Sequence, residues 1–278
     1  MIRVRPMIAA DLPLGLRLCE EAGWNQTVAD WQRFLDLQPD GCFVAERDGE
    51  AVGTTTTCIF GPVAWIAMVL VAESARGLGI GTALMEHALR FLDERGVATV
   101  RLDARPMGQR LYERLGFVEQ YRIAHYEGTL PANPRVQLVE DASPGCWEEL
   151  MELDEQITRT DRRGLLRRLF TEHPQSVRFL RRDGHCHGYW TARPGRKAIR
   201  IGPCIATERA GPLPLADAGH RLVGQPVSID IPIINEWASI WADFLGLTVQ
   251  HTLARMCRGI PNVEQVECLW ASSGPEKG

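Results

Sequence analysis

Lysine is nearly absent from this chain: of its 31 Lys and Arg residues only Lys197 and Lys277 are lysines. An excess of positive charge is missing too. The formal net charge is −4, which removes the electrostatic reason to expect a nucleic acid or an anionic membrane as partner. The eight cysteines contain no C-x-x-C pair. Their scatter from Cys19 to Cys268 argues against a disulfide framework and for reduced thiols in a cytoplasmic protein. No apolar run reaches the length of a membrane span, and MIRVRPMIAADLP has no apolar signal core. The sequon Asn25-Gln26-Thr27 therefore reads as coincidence. His185-Cys186-His187 does not make a metal site, because alternate strand residues point to opposite faces and Cys186 cannot join both histidines. We expect no metal.

What is present is ordinary globular composition, 45% hydrophobic and 24% charged, in 278 residues. That length suits two domains. The most informative stretch is Met68–Glu94: an apolar strand, a glycine-rich turn opened by Arg76, then an amphipathic helix. Arg76-Gly77-Leu78-Gly79-Ile80-Gly81 lets successive N–H groups converge at a helix N-terminus, where the dipole favours an anion. A Cβ there would hold an anion's oxygens away, which gives glycine a steric reason. The pattern suits a pyrophosphate cradle. It is not the dinucleotide fingerprint, since the glycines run G-x-G-x-G and a hairpin precedes them, although Asp103 stands where a ribose acid would. Nor is it a nucleotide P-loop, which needs Gly-Lys-Ser/Thr.

Around this stretch the first half reads in order. A strand at Ile2–Val4 precedes a helix capped by Asp11, with Leu14, Leu18, Cys19 and Ala22 inward. A second helix begins at the capping box Thr27–Asp30 and buries Trp31, Phe34 and Leu35. Cys42–Glu46 and Ala51–Ile59 flank Asp48-Gly49 as a hairpin, and Ala64–Val71 feeds the glycine loop. The loop helix buries Leu84, Met85, Ala88, Leu89, Phe91 and Leu92. Then come a strand at Thr99–Asp103 and a short helix at Gly108–Leu115. Phe117 opens one further strand, and Arg122–Glu127 forms the last.

Val71-x-x-x-x-Arg76-x-x-Gly79-x-Gly81 resembles the acetyl-CoA signature of the GCN5-related N-acetyltransferases (GNAT). Leu111-Tyr112-Glu113-Arg114-Leu115-Gly116-Phe117 is similar to that family's second signature, at its usual distance, and the element order matches its fold. The chain departs from the pattern at Glu73, where proline is common, and at Gly108, where an asparagine often reaches the cofactor. The resemblance implies acetyl-CoA as co-substrate, with the backbone of Val69, Leu70 and Val71 along the pantetheine arm. Arg76, Gly77, Leu78, Gly79, Ile80, Gly81 and Thr82 would then hold the pyrophosphate. The Val69 N–H would face the oxyanion and Tyr112 would protonate the leaving thiolate. Trp24, Asn25 and Gln26 fall where the family's first helix pair overhangs the acceptor. The proton-accepting group stays open among Glu20, Glu21, Asp30 and His125.

After a linker at 129–135 the pattern restarts. Strand Val136–Val139, helices to Ile157 and over Arg163–Phe170, and a hairpin about Asp183-Gly184 come first. Strand Ala198–Ile205, strand Val227–Ile231 and a helix ended by Gly246-Leu247 follow. The last pair stands 130 positions after Gly116-Phe117, which marks an internal duplication. Its counterpart of the glycine loop, 206–216, carries Pro212 and Pro214, which lack N–H donors, and Ala242 replaces Tyr112. This resembles YitH-like bacterial proteins, with an active GNAT domain followed by a degenerate one. Asp230 and Asn235, at a strand end and its turn, are candidates for closing the acceptor pocket.

The expected architecture is therefore α+β: two tandem GNAT-like domains, 1–128 and 136–278, each a mostly antiparallel twisted sheet flanked by helices. The expected reaction is acetyl transfer to the primary amine of a small molecule, by a monomer or homodimer. A protein lysine as acceptor, or a non-catalytic acyl-CoA sensor, are the alternatives.

Overall fold

The structure is a computed structural model describing residues 1–132 and 139–275. Of the expected linker only 129–132 lie within the described residues, and Val136 lies outside them. The first half runs β1 (Ile2–Pro6), α1 (Leu12–Glu21), α2 (Val28–Leu37), β2 (Cys42–Arg47), β3 (Glu50–Phe60) and β4 (Val63–Val71). It continues with α3 (Ile80–Asp93), β5 (Thr99–Ala104), α4 (Pro106–Arg114) and β6 (Val118–Thr129). The second half runs β7 (Val139–Asp141), α5 (Trp147–Thr158), α6 (Arg163–Glu172), β8 (Arg178–Arg182), β9 (His185–Arg193) and β10 (Ile199–Ala206). It ends with α7 (Leu213–Arg221), β11 (Pro226–Pro232), α8 (Glu236–Phe244), β12 (Thr248–Gly259) and β13 (Leu269–Ala271).

Local chemistry explains most of these boundaries. The Thr27 N–H donates to Asp30 Oδ2 at 2.9 Å, completing the capping box that starts α2. Asp48 and Gly49 both take positive φ, 53° and 88°, which suits a two-residue hairpin. Asp11 behaves differently from expectation. Its carboxylate makes no cap to α1; it accepts the Ile8 N–H and two Arg5 bonds at 2.8 Å, closing the turn before the helix.

The two expected sheets are one. Their strands run β1-β2-β3-β4-β5-β12-β6-β11-β10-β9-β8-β7, with β13 beside β10. The halves have exchanged their long strands: β12 pairs with β5 of the first half, and β6 pairs with β11 of the second. The strand expected to start at Phe117 and the one expected at Arg122–Glu127 are a single twelve-residue strand. No Gly, Pro, Asn, Asp or Ser interrupts 118–127, and the neighbour of β5 is supplied by the other half. Ile123 lies opposite Leu253 where β6 meets β12. These residues are each other's counterparts in the duplication, so a pseudo-two-fold axis passes between them.

On one side of that axis the exchange is locked by buried charge. Arg255 donates two bonds of 2.8 Å to Asp103 and one of 2.9 Å to Tyr121 Oη. Glu264 accepts from both Tyr121 and Arg101. Burial alone would raise the Glu264 carboxyl, but Arg101 and Arg255 outweigh it and hold it at about 2. Asp103 is thus fully engaged, which removes it as a ribose ligand.

The two halves also differ at the place where a central strand pair diverges. β4 and β5 pair in parallel only over Val63–Trp65 and Thr99–Arg101, then separate. β10 and β11 pair over Ile199–Ile201 and Val227–Ile229. There β13 fills the gap, with Cys204 opposite Ala271 and the Ser272 N–H donating to the Asp230 carbonyl at 2.9 Å. The open gap of the first half is closed in the second by the chain's own buried Leu269–Ala271.

Candidate active site

The open gap leads into a cleft of about 930 Å³. Of the residues expected to hold acetyl-CoA, the acceptor or the leaving thiolate, all line it except Leu78, Asp230 and Asn235. Of the four candidate proton acceptors, Glu21 and His125 line it and Glu20 and Asp30 do not. At one end Gly77 and Gly79 have φ of 76° and 80°, and a Cβ at either would meet nothing within 4 Å. Glycine is needed there for its backbone conformation, and the space above it is free for a ligand. Gly79 is the N-cap of α3, whose first turn leaves its N–H groups unpaired. Ile80 contributes backbone only, since its side chain is core; Leu78 is exposed.

Along β4 the register with β3 slips between Thr54 and Thr56, so Met68 and Val69 together face Thr55. Met68 has φ of 51° and its carbonyl accepts from Thr54 Oγ1 at 2.9 Å. This bulge, invisible in the apolar run MVLVA, leaves one residue without a ladder partner beside the cleft.

Tyr112 stands on α4, facing the cleft, with its hydroxyl unpartnered by protein among the described residues. Its ring folds back over Gly108, where an added Cβ would come within 2.9 Å of it. The glycine that departs from the family pattern is therefore the seat of the tyrosine. Burial pushes Tyr112 up to about 12, so it stays a protonated donor at working pH. Full transfer to a thiolate of ordinary basicity, about 8.5, is uphill. Its strength is in hydrogen-bonding the sulfur as charge develops there.

The other end of the cleft is built by both halves. Trp24 and Arg105 come from the first half, and Lys197, Arg200, Gln250 and His251 from the second. His125 Nδ1 lies 2.5 Å from Asp230 Oδ1, and His125 Nε2 lies 3.1 Å from Glu127 Oε1. His251 stacks on His125 with ring centroids 4.6 Å apart. Burial would raise Asp230, but Arg200 and His125 outweigh it and hold the carboxyl well below its usual range. Asp230 is fully buried behind the cleft wall, one bond away from it. It is the counterpart of Asp103: one aspartate holds Arg255, the other His125.

His251 is held down at about 4 by burial and by the nearby His125 and Arg105. As pH falls from 6.5 to about 4 the unfolded chain takes up a proton at this residue that the folded chain refuses, so stability should fall across that window. Asp230 acts lower, below the ordinary carboxylate value of 3.8. His87 and His173 are also depressed. The informative measurement is thus the difference in urea unfolding between wild type and His251→Gln, which should shrink the loss between pH 6.5 and 4.

Two expected acceptor residues serve structure. The Asn235 side chain accepts the Ala238 N–H at 3.1 Å and donates to the carbonyls of Glu267 and Leu269, capping α8 away from the cleft. Asn25 donates to the Ala198 carbonyl at 2.9 Å and accepts the Lys197 N–H at 2.7 Å, so it ties the halves together at the cleft edge. Gln26 is buried beside it. Sequence reasoning missed Arg105, Glu127, Lys197, Arg200 and His251. The last is brought in by the strand exchange, which no local pattern announces.

The acetyltransferase (GNAT) family profile matches residues 14–117, and one described as an acetyltransferase (GNAT) domain matches 150–268. The chain belongs to the GNAT family. This GNAT protein is 33% identical to the N-alpha-acetyltransferase MAK3 of Arabidopsis thaliana, over 41% of this chain and 65% of that one. It is 36% identical to the mycothiol acetyltransferase of Thermomonospora curvata, over 34% of this chain and 33% of the relative. The match thus spans under two-thirds of the first relative and a third of the second. A Pyrococcus horikoshii structure solved as a candidate acetyltransferase superposes with a TM-score of 0.85 at 24% identity, covering 100% of this chain and 96% of the other. A GCN5-related N-acetyltransferase from Sphaerobacter thermophilus gives 0.66 at 17% identity, covering 95% and 98%. These two structures share the GNAT protein's fold. Among the described residues no helix is long and apolar enough to cross a membrane.

The cradle makes a direct prediction. Gly79→Glu forces a side chain onto a positive-φ residue and puts a carboxylate where an anion would sit. Calorimetric titration should show acetyl-CoA affinity falling by about two orders of magnitude or more, on both counts. Binding at wild-type strength would move the cradle elsewhere.

Proposed function

We propose that this GNAT protein transfers the acetyl group of acetyl-CoA to the primary amine of a small molecule, within a ternary complex. The observation that carries the reading is one continuous cleft, with a glycine cradle at one end, Tyr112 beside it and a polar end built by both halves. The pyrophosphate would lie on Arg76–Gly81, and the pantetheine arm between the diverging β4 and β5, against Val69–Val71. The amine lone pair attacks the thioester carbon, and the Val69 N–H faces the oxyanion that forms. Collapse breaks the carbon–sulfur bond, and Tyr112 donates to the departing sulfur. Glu127 is the carboxylate that takes the amine's proton, held by His125, which Asp230 orients from behind. His251, neutral at working pH, adds no charge to repel the incoming ammonium.

A small acceptor suits the cover over this end. Arg196 reaches Glu20 at 3.1 Å, and Lys197 Nζ donates to the Gly23 carbonyl at 2.9 Å, closing the second half onto the first. The test is a screen of small amines and of lysine peptides, read by thiol release from acetyl-CoA. Release with small amines alone is the expected result. Release with peptides alone would assign the acceptor to protein, and acetyl-CoA binding without any release would leave a sensor.

A further inference from the structure

Among the described residues the carboxylates around the acceptor end of the cleft are already engaged. Glu21, on the rim near Trp24, accepts the Glu73 N–H and lies 3.7 Å from Arg17. Asp103 is taken by Arg255 in a bidentate pair, Asp230 by Arg200 and His125, and Glu127 by His125. Arg105, on the same wall, has no carboxylate within 4 Å among the described residues. Its guanidinium lies 5.6 Å from the centre of the Trp24 ring. It is half-buried, and burial lowers its pKa; the more distant Asp230, already engaged by Arg200 and His125, offsets this only in part. Lys197 reaches the same end of the cleft, and among the described residues its ammonium has only the Gly23 carbonyl as partner.

A guanidinium kept in a cleft against an indole face is an unusual thing to leave unpaired. Its fork of donors matches a carboxylate or phosphate in two-point contact, and the ring beneath restricts its orientation. We infer that the acceptor is a zwitterion, an amine bearing a carboxylate or phosphate that Arg105 binds against Trp24. The inference rests on the acceptor lying at this end of the cleft, as proposed above. Glu127 then meets the ammonium and Arg105 the oxyanion, so the two charges of one small molecule are read by opposite charges on the protein.

The experiment uses the full chain saturated with CoA and reads binding by calorimetry, apart from turnover. Matched pairs are titrated: amino acids against their carboxamides, and aminoalkyl phosphates against the corresponding amino alcohols. The anionic member of one series should bind at least about tenfold tighter, and the series that does so identifies the oxyanion. Arg105→Gln should cut that preference to about twofold or less, and Arg105→Lys should keep part of it. Equal binding of the neutral members, a preference that survives Arg105→Gln, or no binding by any member would each overturn the inference. If the preference is found and no acetyl transfer follows, the anion site stands and the acetyltransferase reading falls.

Discussion

Residues 1–135 expressed alone are expected to give no folded monomer and no measurable acetyl-CoA binding. Among the described residues β6 pairs with β12 and β11, both from the second half. Truncation leaves its twelve residues with no ladder partner on either side. β5 loses β12 and becomes a bare edge of the kind that pairs with other chains. Arg101 and Asp103 lose Glu264 and Arg255, their buried partners. Removing one member of a buried pair costs about 3–5 kcal/mol, and a domain has only about 5–15 kcal/mol in total. The fragment should elute as aggregate or as an oligomer that exchanges β6 between copies. Supplying residues 136–278 in trans should restore both the sheet and acetyl-CoA binding. Light scattering, circular dichroism and calorimetry check this. A monomeric fragment with the melting temperature and affinity of the whole chain would show that the halves fold independently.

Tyr112→Phe is expected to lower kcat by about two to three orders of magnitude, the usual range for a positioned proton donor. Acetyl-CoA affinity should change by less than about twofold, because the ring remains and only the hydroxyl goes. Stability should hardly move, since that hydroxyl has no protein partner among the described residues and Phe still covers Gly108. With Tyr112 at about 12, the alkaline side of the wild-type rate profile should show no loss attributable to it below that pH. The measurement is steady-state thiol release across pH with a responsive acceptor. Undiminished kcat with every acceptor tested would remove Tyr112 from the chemistry.

Much of the fold was legible because it is written locally. The capping box at Thr27, the Asp48-Gly49 hairpin and the inward faces of α1 and α3 depend on residues a few positions apart. The glycine loop was legible for the same reason, as were the prolines that spoil its counterpart at 206–216. The bulge at Met68 was not, because an apolar run looks the same with or without a slipped register. Arg105 gave no signal either. One arginine after a strand is unremarkable until every nearby carboxylate is seen to be engaged elsewhere.

The sequence by itself determined that there are two copies of one scaffold, that only the first kept the glycine loop ahead of its long helix, and that Tyr112 has no counterpart in the second. The tertiary structure decided which strand lies beside which, and with that who shares the site. β6 and β12 are duplicates of equal length, so each suits the place beside β5 or β11, and nothing local selects between them. The selection comes from long-range pairs: Arg255 with Asp103 across one junction, His125 with Asp230 across the other. That choice carries His251 from the second half to the cleft of the first, and sets Asp230 behind the wall of that cleft. It also leaves β13 free to fill the second gap. A phosphate cradle is a property of a few adjacent residues, whereas an acceptor pocket is a property of surfaces that meet only after folding.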